Sequence, residues 1–341
     1  MNYGESMIKK YLYKIKCRII DLFKKYKRRN NSVMKINIIF NESGWIIQKF
    51  ASMLCDNLCK LGIDATISSQ YDKNADINHY FFPNHAPVSN KHVTFMITHV
   101  DLLDKVELIK KQTENGAVGI CMSLETRNKL ISYGIKPDRL CYINPAQDEQ
   151  ILPRKIRLGF TNRVYDDSRK RESMLVDVCK KIDNRIFKFC IMGSGWEPII
   201  ESIKELGFEV EYYPDFDKKI YNELITNLDY YCYFGFDEGS MGFLDALAAG
   251  VGTIVTPQGY HLDMGVDITY PVSTIDDIIN ALHEIETNRI KAIDFSKKFT
   301  WEAYARKHIE IWNYMLDRED LSDILKTRGW YTDGIYSLLL K

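Results

Sequence analysis

The chain has 341 residues, 46 basic against 46 acidic side chains, 45% hydrophobic and 12% aromatic residues. That composition excludes a disordered or low-complexity polypeptide and suits two domains of ordinary size. No apolar run approaches the roughly 20 residues that cross a bilayer, and no signal peptide is legible at the N-terminus, so a cytoplasmic setting is expected.

The charge is unevenly placed. Residues 1–31 carry ten Lys or Arg against Glu5 and Asp21, a net +8, which leaves −8 on the remainder. Ile8, Tyr11, Leu12, Ile15, Ile19, Leu22 and Phe23 can share one helical face ringed by lysines. A basic amphipathic helix of this kind over residues 7–29 reads either as an anchor on an anionic membrane surface, or as a helix packed on its own globule or on a second subunit. Nucleic acid is not an expected partner, because the basic residues stop here and no nucleic-acid module follows.

Residues 33–40 form the first expected strand, 41–45 the loop after it, and 46–61 a helix closed by Gly62. Strands follow at 64–69 and 78–82, then a proline-containing loop at 83–87. Residues 93–98 form a buried strand that ends at His99, with Asp101 beside it. Strand 119–122 leads to a helix started by Ser123 with Glu125 and Thr126 in its first turn. A short strand at 141–143 precedes Asn144 and Pro145. The polar, two-proline stretch 145–154 is the expected linker.

The second half opens with a strand at 155–160, followed by Arg163 and a basic turn containing Lys170. Strand 187–192 runs into Gly193-Ser194-Gly195, and strand 209–213 into Pro214-Asp215-Phe216. A helix over 219–228 leads to strand 230–234. Then come two acids, Asp237 and Glu238, and the small-residue turn Gly239-Ser240-Met241-Gly242. Phe243, Ala246, Leu247 and Gly250 repeat at helical spacing, Gly250 stands where a left-handed cap belongs, and 253–256 is the next strand. A helix is expected at 276–286, and a long C-terminal helix from 299 onward.

The loop 237–242 lies at the carboxyl end of a strand in a βαβ unit, where open α/β sheets bind ligands. Small residues let backbone approach a ligand, and a helix start presents unpaired N–H groups and positive dipole to a phosphate. Asp237 and Asp245 flank that cradle. A nucleotide-sugar needs such a site, with diphosphate in the middle and hydroxyl-bearing rings at either end.

The stretch Asp237, seven residues, Asp245, then Ala246-Leu247-Ala248-Ala249-Gly250 resembles the donor-site signature of retaining GT-B glycosyltransferases of the family 4, or group 1, kind. There the usual form is Glu, seven residues, Glu, then Ala-x-Ala-x-Gly. Both glutamates are aspartates here, and Glu238 can take the first position if the loop is one residue shorter. The resemblance spans about residues 35–315. It implies an α/β GT-B fold, two Rossmann-like parallel-sheet domains facing a central cleft. The domains would be a basic helix over 1–32, an acceptor domain over 33–150, a donor domain over 151–310 and a helical tail over 311–341.

It further implies that Arg163 and Lys170 bind the donor diphosphate, with Gly239, Ser240, Met241 and Gly242 as backbone donors and Asp245 on the ribose. Asp237 or Glu238 would hold the transferred sugar, and His99 would stand near its anomeric carbon. Gly44 is what remains of the family's Gly-Gly pair, and Asn162 and Arg171 replace two of its other glycines. The implied activity moves a sugar from a nucleotide-sugar to a glycan or lipid-linked acceptor, with retention and without metal or cofactor, in bacterial-type surface polysaccharide or glycoconjugate synthesis. Alternatives are a catalytically degenerate GT-B scaffold, a GT-B-like nucleotide-sugar epimerase, and another Rossmann enzyme; the last is disfavoured by the lack of a GxGxxG after the first strand. The eight cysteines form no CxxC pair and read as reduced core thiols.

Overall fold

The computed structural model of the chain describes residues 33–40, 45–82, 92–264 and 268–316. The basic N-terminal helix, the loop that holds Gly44, the proline loop at 83–87 and the tail after 316 lie outside the described residues. The chain divides into two compact units, one reaching Glu149 and resuming at Ser296, the other running from Gln150 to Phe295.

The first unit holds six strands, β1 (Lys35–Ile39), β2 (Asp64–Ser68), β3 (Ile77–Tyr80), β4 (Val93–Ile97), β5 (Val118–Cys121) and β6 (Leu140–Tyr142), ordered β2-β1-β3-β4-β5-β6. All pair in parallel. The central strands are buried without alternation (Val93 to Ile97 are all buried), because helices cover both faces of such a sheet. Ser123 starts the helix Leu124–Ser132 as expected, its hydroxyl accepting from the Thr126 N–H at 3.1 Å. The helix Leu103–Glu114 was not anticipated: two of its buried positions are Gln112 and Thr113, so its apolar stripe is broken.

The C-terminal helix Trp301–Met315 belongs to this unit. Thr300 caps it by accepting from the Ala303 N–H at 3.1 Å. It packs on the helix Trp45–Lys60, where Phe50 meets Trp301 and Tyr304 edge-on at 5.1 and 5.8 Å. Beneath it lies a buried polar cluster. Trp312 donates its indole N–H to Thr94 Oγ1 at 3.1 Å, and His79 Nδ1 lies 2.9 Å from the same oxygen. The His79 and His308 rings are 5.2 Å apart.

His308 Nδ1 faces the Tyr304 carbonyl at 2.9 Å, so it donates and Nε2 is bare. Burial drives the His308 pKa down to about 4, and burial plus its neighbour His308 drives that of His79 well below the ordinary value. A histidine depressed in the folded state takes up its proton first in the unfolded chain. Stability is therefore complete above about pH 6.5 and falls as the pH drops toward the folded values, by about 2 kcal/mol at about pH 5 from His308 alone. Melting temperature followed from about pH 7.5 to 5 should show this loss, reduced in His308→Leu; equal acid sensitivity in the two proteins would contradict it.

The second unit repeats the architecture with β7 (Ile156–Phe160), β8 (Phe187–Met192), β9 (Glu209–Tyr213), β10 (Tyr230–Tyr233), β11 (Gly252–Val255) and β12 (Tyr270–Pro271), all parallel, ordered β12-β11-β10-β7-β8-β9. From β7 the chain proceeds outward to β8 and β9, then returns to lay β10 on the other side of β7. That reversal between β7 and β10 opens a crevice at the carboxyl ends of the two strands. Each unit is thus a Rossmann-like parallel α/β domain, the two kinds of domain that the GT-B expectation requires.

Among the described residues no helix is long and apolar enough to cross a membrane. Seven cysteines are free, with Cys121, Cys141, Cys179, Cys190 and Cys232 buried. Cys17 lies outside the described residues.

Candidate functional site

A cavity of about 480 Å³ occupies the crevice of the second unit. Residues following β7 (Thr161, Asn162, Arg163), β8 (Gly193, Ser194) and β9 (Pro214, Asp215, Phe216) form its walls. The first turn of the helix Met241–Ala248 closes it, with Ser240, Met241, Gly242 and Asp245 in the lining. The site thus assembles from four strand ends that the topology brings side by side.

The floor is fixed by one hydroxyl chain. Tyr231, fully buried in β10, lies 3.0 Å from Thr161 Oγ1 and 2.5 Å from Ser240 Oγ. Ser240 occupies the N-cap, yet its hydroxyl is committed to Tyr231 and makes no capping bond. Its own N–H donates to His261 Nε2 at 2.9 Å, and its carbonyl accepts from the Phe243 N–H at 2.9 Å. The N–H groups of Met241 and Gly242 remain, without intrahelical acceptors, at the positive end of the helix. Gly242 has to be glycine: a Cβ there would come within 2.3 Å of Thr161 Oγ1 and 2.5 Å of the Tyr231 hydroxyl. Gly193, at φ +139, lets backbone pass so close to Asn162 that a Cβ would stand 2.3 Å from its carbonyl oxygen.

Two cations line the cavity. Arg163 and Lys218 are both exposed, and among the described residues neither has an acidic partner. Lys218 starts the helix Lys218–Thr226, which Asp217 caps by accepting from the Lys219 and Ile220 N–H groups at 2.9 Å each. Its ammonium lies 5.4 Å from the centre of the Tyr221 ring. Tyr221 donates its hydroxyl to Asp245, and burial, then that carboxylate, raises the phenol's pKa. Asp245 is therefore aimed by Tyr221 while remaining exposed to the cavity. Phe216, 67% exposed, presents a bare aromatic face beside Tyr221, their rings 5.5 Å apart.

Of the sequence-predicted residues, Arg163, Ser240, Met241, Gly242 and Asp245 come together in this lining. Lys170 and Asp237 instead hold each other. Their charged atoms are 2.6 Å apart, and the Tyr233 hydroxyl accepts from Lys170 at 2.7 Å while donating to Asp237. Burial pushes the Asp237 pKa up, but Lys170, Tyr233 and the Gly239 N–H outweigh it and hold the carboxyl below its ordinary value. Glu238 is exposed, and Gly239 carries the positive φ of +112 that the turn requires. His99 is in the first unit, just past the end of β4, its side chain 64% exposed, with Nδ1 2.8 Å from Thr98 Oγ1 and Nε2 3.4 Å from Asp101. Gly44 lies outside the described residues.

Arg171 stands where the resembled family has a glycine, and its φ of +54 is in the left-handed region that favours glycine. Its guanidinium compensates by donating to the carbonyls of Phe234 (2.6 Å) and Ser273 (3.0 Å) and stacking 3.5 Å from the Phe236 ring centre. It staples the loop behind β10 to its neighbours. Sequence reasoning missed Thr161, Lys218, Tyr221 and His261. Lys218 had a signal, since Asp217 is a good N-cap and puts Lys218 at the helix start; the others had none. Among the described residues no cluster of His, Cys, Asp and Glu could hold a metal ion.

No protein-family model matches the chain, and no curated protein matches it. Solved structures similar to it include WaaG, a glycosyltransferase involved in lipopolysaccharide biosynthesis, at 11% identity over 87% of this chain and 100% of that one, with TM-score 0.34. A glycosyltransferase from Rickettsia africae is similar at 12% identity, 85% and 100% coverage and TM-score 0.34. Anabaena HepE in complex with UDP-glucose is similar at 11% identity, 86% and 100% coverage and TM-score 0.33. The cavity lies in one of two six-stranded, parallel, Rossmann-like α/β domains.

Proposed function

We infer that the second unit binds a nucleoside-diphosphate sugar and that the chain is a glycosyltransferase. The observation that carries this is the composition of one cavity at the β7/β10 reversal. Two cations without acidic partners among the described residues, two uncapped helix-start N–H groups, an oriented carboxylate and a bare aromatic face all line it. The cations and N–H groups suit a diphosphate. Asp245, aimed by Tyr221, suits a ribose hydroxyl, and Phe216 offers a base a stacking surface.

In the proposed reaction the bond from the anomeric carbon to the diphosphate oxygen breaks. A bond to the acceptor oxygen forms on the same face, and the acceptor proton passes to the departing phosphate. Arg163, Lys218 and the helix start stabilise the charge that develops on the leaving diphosphate, so the reading requires no metal. Asp237 or Glu238 would hold the sugar hydroxyls, and His99 is the residue proposed to contribute from the first unit. The proposed acceptor is a glycan or a lipid-linked sugar of a surface glycoconjugate, reached from the cytoplasmic face of a membrane if residues 7–29 bind one; self-association through that helix is the other proposal for it.

One observation favours a second reading, a binding subunit without turnover: Lys170 and Asp237 are committed to each other rather than to the cavity. A thermal-shift screen against UDP-, GDP-, ADP- and CMP-sugars, followed by assay of nucleotide release, separates the two. The glycosyltransferase reading expects selective stabilisation by one nucleotide, lost in Asp245→Ala, and slow donor turnover. Stabilisation without any turnover, with acceptor extracts present, would favour the binding subunit. No stabilisation by any nucleotide would sink both.

A further inference from the structure

His261 does not line the cavity, but it holds what does. It follows β11 in the short helix Tyr260–Asp263 and is fully buried. Its Nδ1 is 3.0 Å from the Thr256 carbonyl oxygen, and its Nε2 is 2.9 Å from the Ser240 backbone nitrogen. A carbonyl only accepts and a backbone N–H only donates, so one tautomer satisfies both, with Nδ1 protonated and Nε2 bare. The ring is also 4.4 Å from that of Phe243, and a Cβ on Gly239 would come within 2.9 Å of it. One imidazole therefore fixes the turn, the N-cap and the first turn of the helix Met241–Ala248.

We propose that neutral His261 is a positioning residue that holds Ser240, and with it the Met241 and Gly242 N–H groups, in the arrangement that takes the donor's diphosphate, and that its protonation releases that arrangement. The proposal rests on the reading of the cavity as a nucleoside-diphosphate site. Protonation places a hydrogen on Nε2 facing the Ser240 N–H, two donors head-on at a separation that now carries a hydrogen bond. The first turn then has to move, because the Ser240 hydroxyl remains tied to Tyr231.

The charged and titratable groups around the ring come from three segments. Asp237 and Lys170 are paired with each other, and Glu238 beside them is exposed. The Tyr233 and Tyr260 rings meet the imidazole edge-on at 5.5 and 5.2 Å. Burial lowers the ring's pKa and Lys170 reinforces this, while the Nδ1 bond to the Thr256 carbonyl and Asp237 oppose it in part; the Ser240 N–H, which needs a bare Nε2, favours the neutral ring. The neutral form therefore persists below the ordinary histidine value, and the arrangement is lost as the pH falls through the folded one.

The test is calorimetric titration of the full chain and of His261→Gln with nucleoside diphosphates at about pH 8 and about pH 5. A glutamine amide can accept from Ser240 and donate to Thr256 without titrating. Wild-type affinity should fall several-fold more than that of the variant between the two conditions, through loss of the bond that the protonated ring can no longer accept from Ser240. Protonation of the nucleotide and the acid response of His79 and His308 are common to both proteins. Parallel losses would overturn the proposal. If no nucleotide binds at the higher pH, inorganic pyrophosphate becomes the probe: binding with the same His261-dependent pH profile keeps the proposal and removes the nucleotide reading, whereas no binding removes both. Should His261→Gln fail to fold, nitrogen NMR of labelled histidines in the wild type decides. A Nδ1–H tautomer whose titration moves the Ser240 amide supports the proposal, and a Nε2–H tautomer overturns it.

Discussion

Arg163→Ala should weaken binding of a nucleoside diphosphate by about 10- to 150-fold, the range expected for hydrogen bonds to a charged group, while leaving stability within about 0.5 kcal/mol. The two halves of this prediction come from one fact. Arg163 follows β7 at the crevice, exposed, and no acidic group among the described residues holds its guanidinium. A cation in that position adds little to the fold, so its removal should be silent until an anion is offered. Lys218→Ala should behave in the same way with a smaller effect, because an ammonium makes a single-point contact where a guanidinium can engage two oxygens. Lys170→Ala should differ from both. It strands Asp237 and deprives the Tyr233 hydroxyl of a donor, so the melting temperature should fall even without ligand. Calorimetry and thermal melting on the three variants test the distinction. An Arg163→Ala protein that binds every nucleotide as wild type does would remove Arg163 from the site.

Trp312→Ala should destabilise the first unit by about 3–5 kcal/mol, the usual cost of emptying a buried tryptophan site. Trp312 is fully buried, and its indole N–H ends on Thr94, to which His79 also turns. The substitution therefore opens a cavity and also leaves a polar trio short of one donor. Trp312→Phe should recover most of the packing but not the hydrogen bond, and should fall between the two. Denaturant unfolding of the three proteins measures this, and a loss below about 1 kcal/mol for alanine would mean that the C-terminal helix does not complete this core.

Most of the strands were legible because parallel strands covered on both faces are continuous apolar runs, and residues 187–192 were placed to the residue on that ground. The edge strand 209–213 was also placed to the residue, its signal being β-branched and aromatic residues among glutamates. Helices that bury polar side chains, such as Leu103–Glu114, or that span only six residues, such as Met174–Cys179, leave no such trace. At the site, the acidic glycine turn was visible in sequence because its chemistry is local: small residues, a cap and a helix start lie within ten positions. The helix begins two residues before the apolar periodicity, since Ser240 serves as its N-cap while Met241 and Gly242 form its first turn.

What could not be read are pairings between distant segments. Lys170 and Asp237 each look available for a ligand when read alone, and only folding shows that they satisfy each other. His261 had the same difficulty in reverse. A lone histidine after a strand has no pattern, and its importance lies in two backbone atoms, at Thr256 and Ser240, that the folded chain brings to its two nitrogens. The glycine replaced by Arg171 marked a departure from the resembled family, and the compensating contacts to Phe234, Ser273 and Phe236 became apparent only in three dimensions.

The most direct measurement is a crystal structure of the chain with the nucleoside diphosphate that the screen selects. The diphosphate should lie against the Met241 and Gly242 N–H groups with Arg163 and Lys218 on its oxygens, the ribose on Asp245 and the base over Phe216. Nucleotide bound anywhere else, or this cavity empty at a saturating concentration, would contradict this placement.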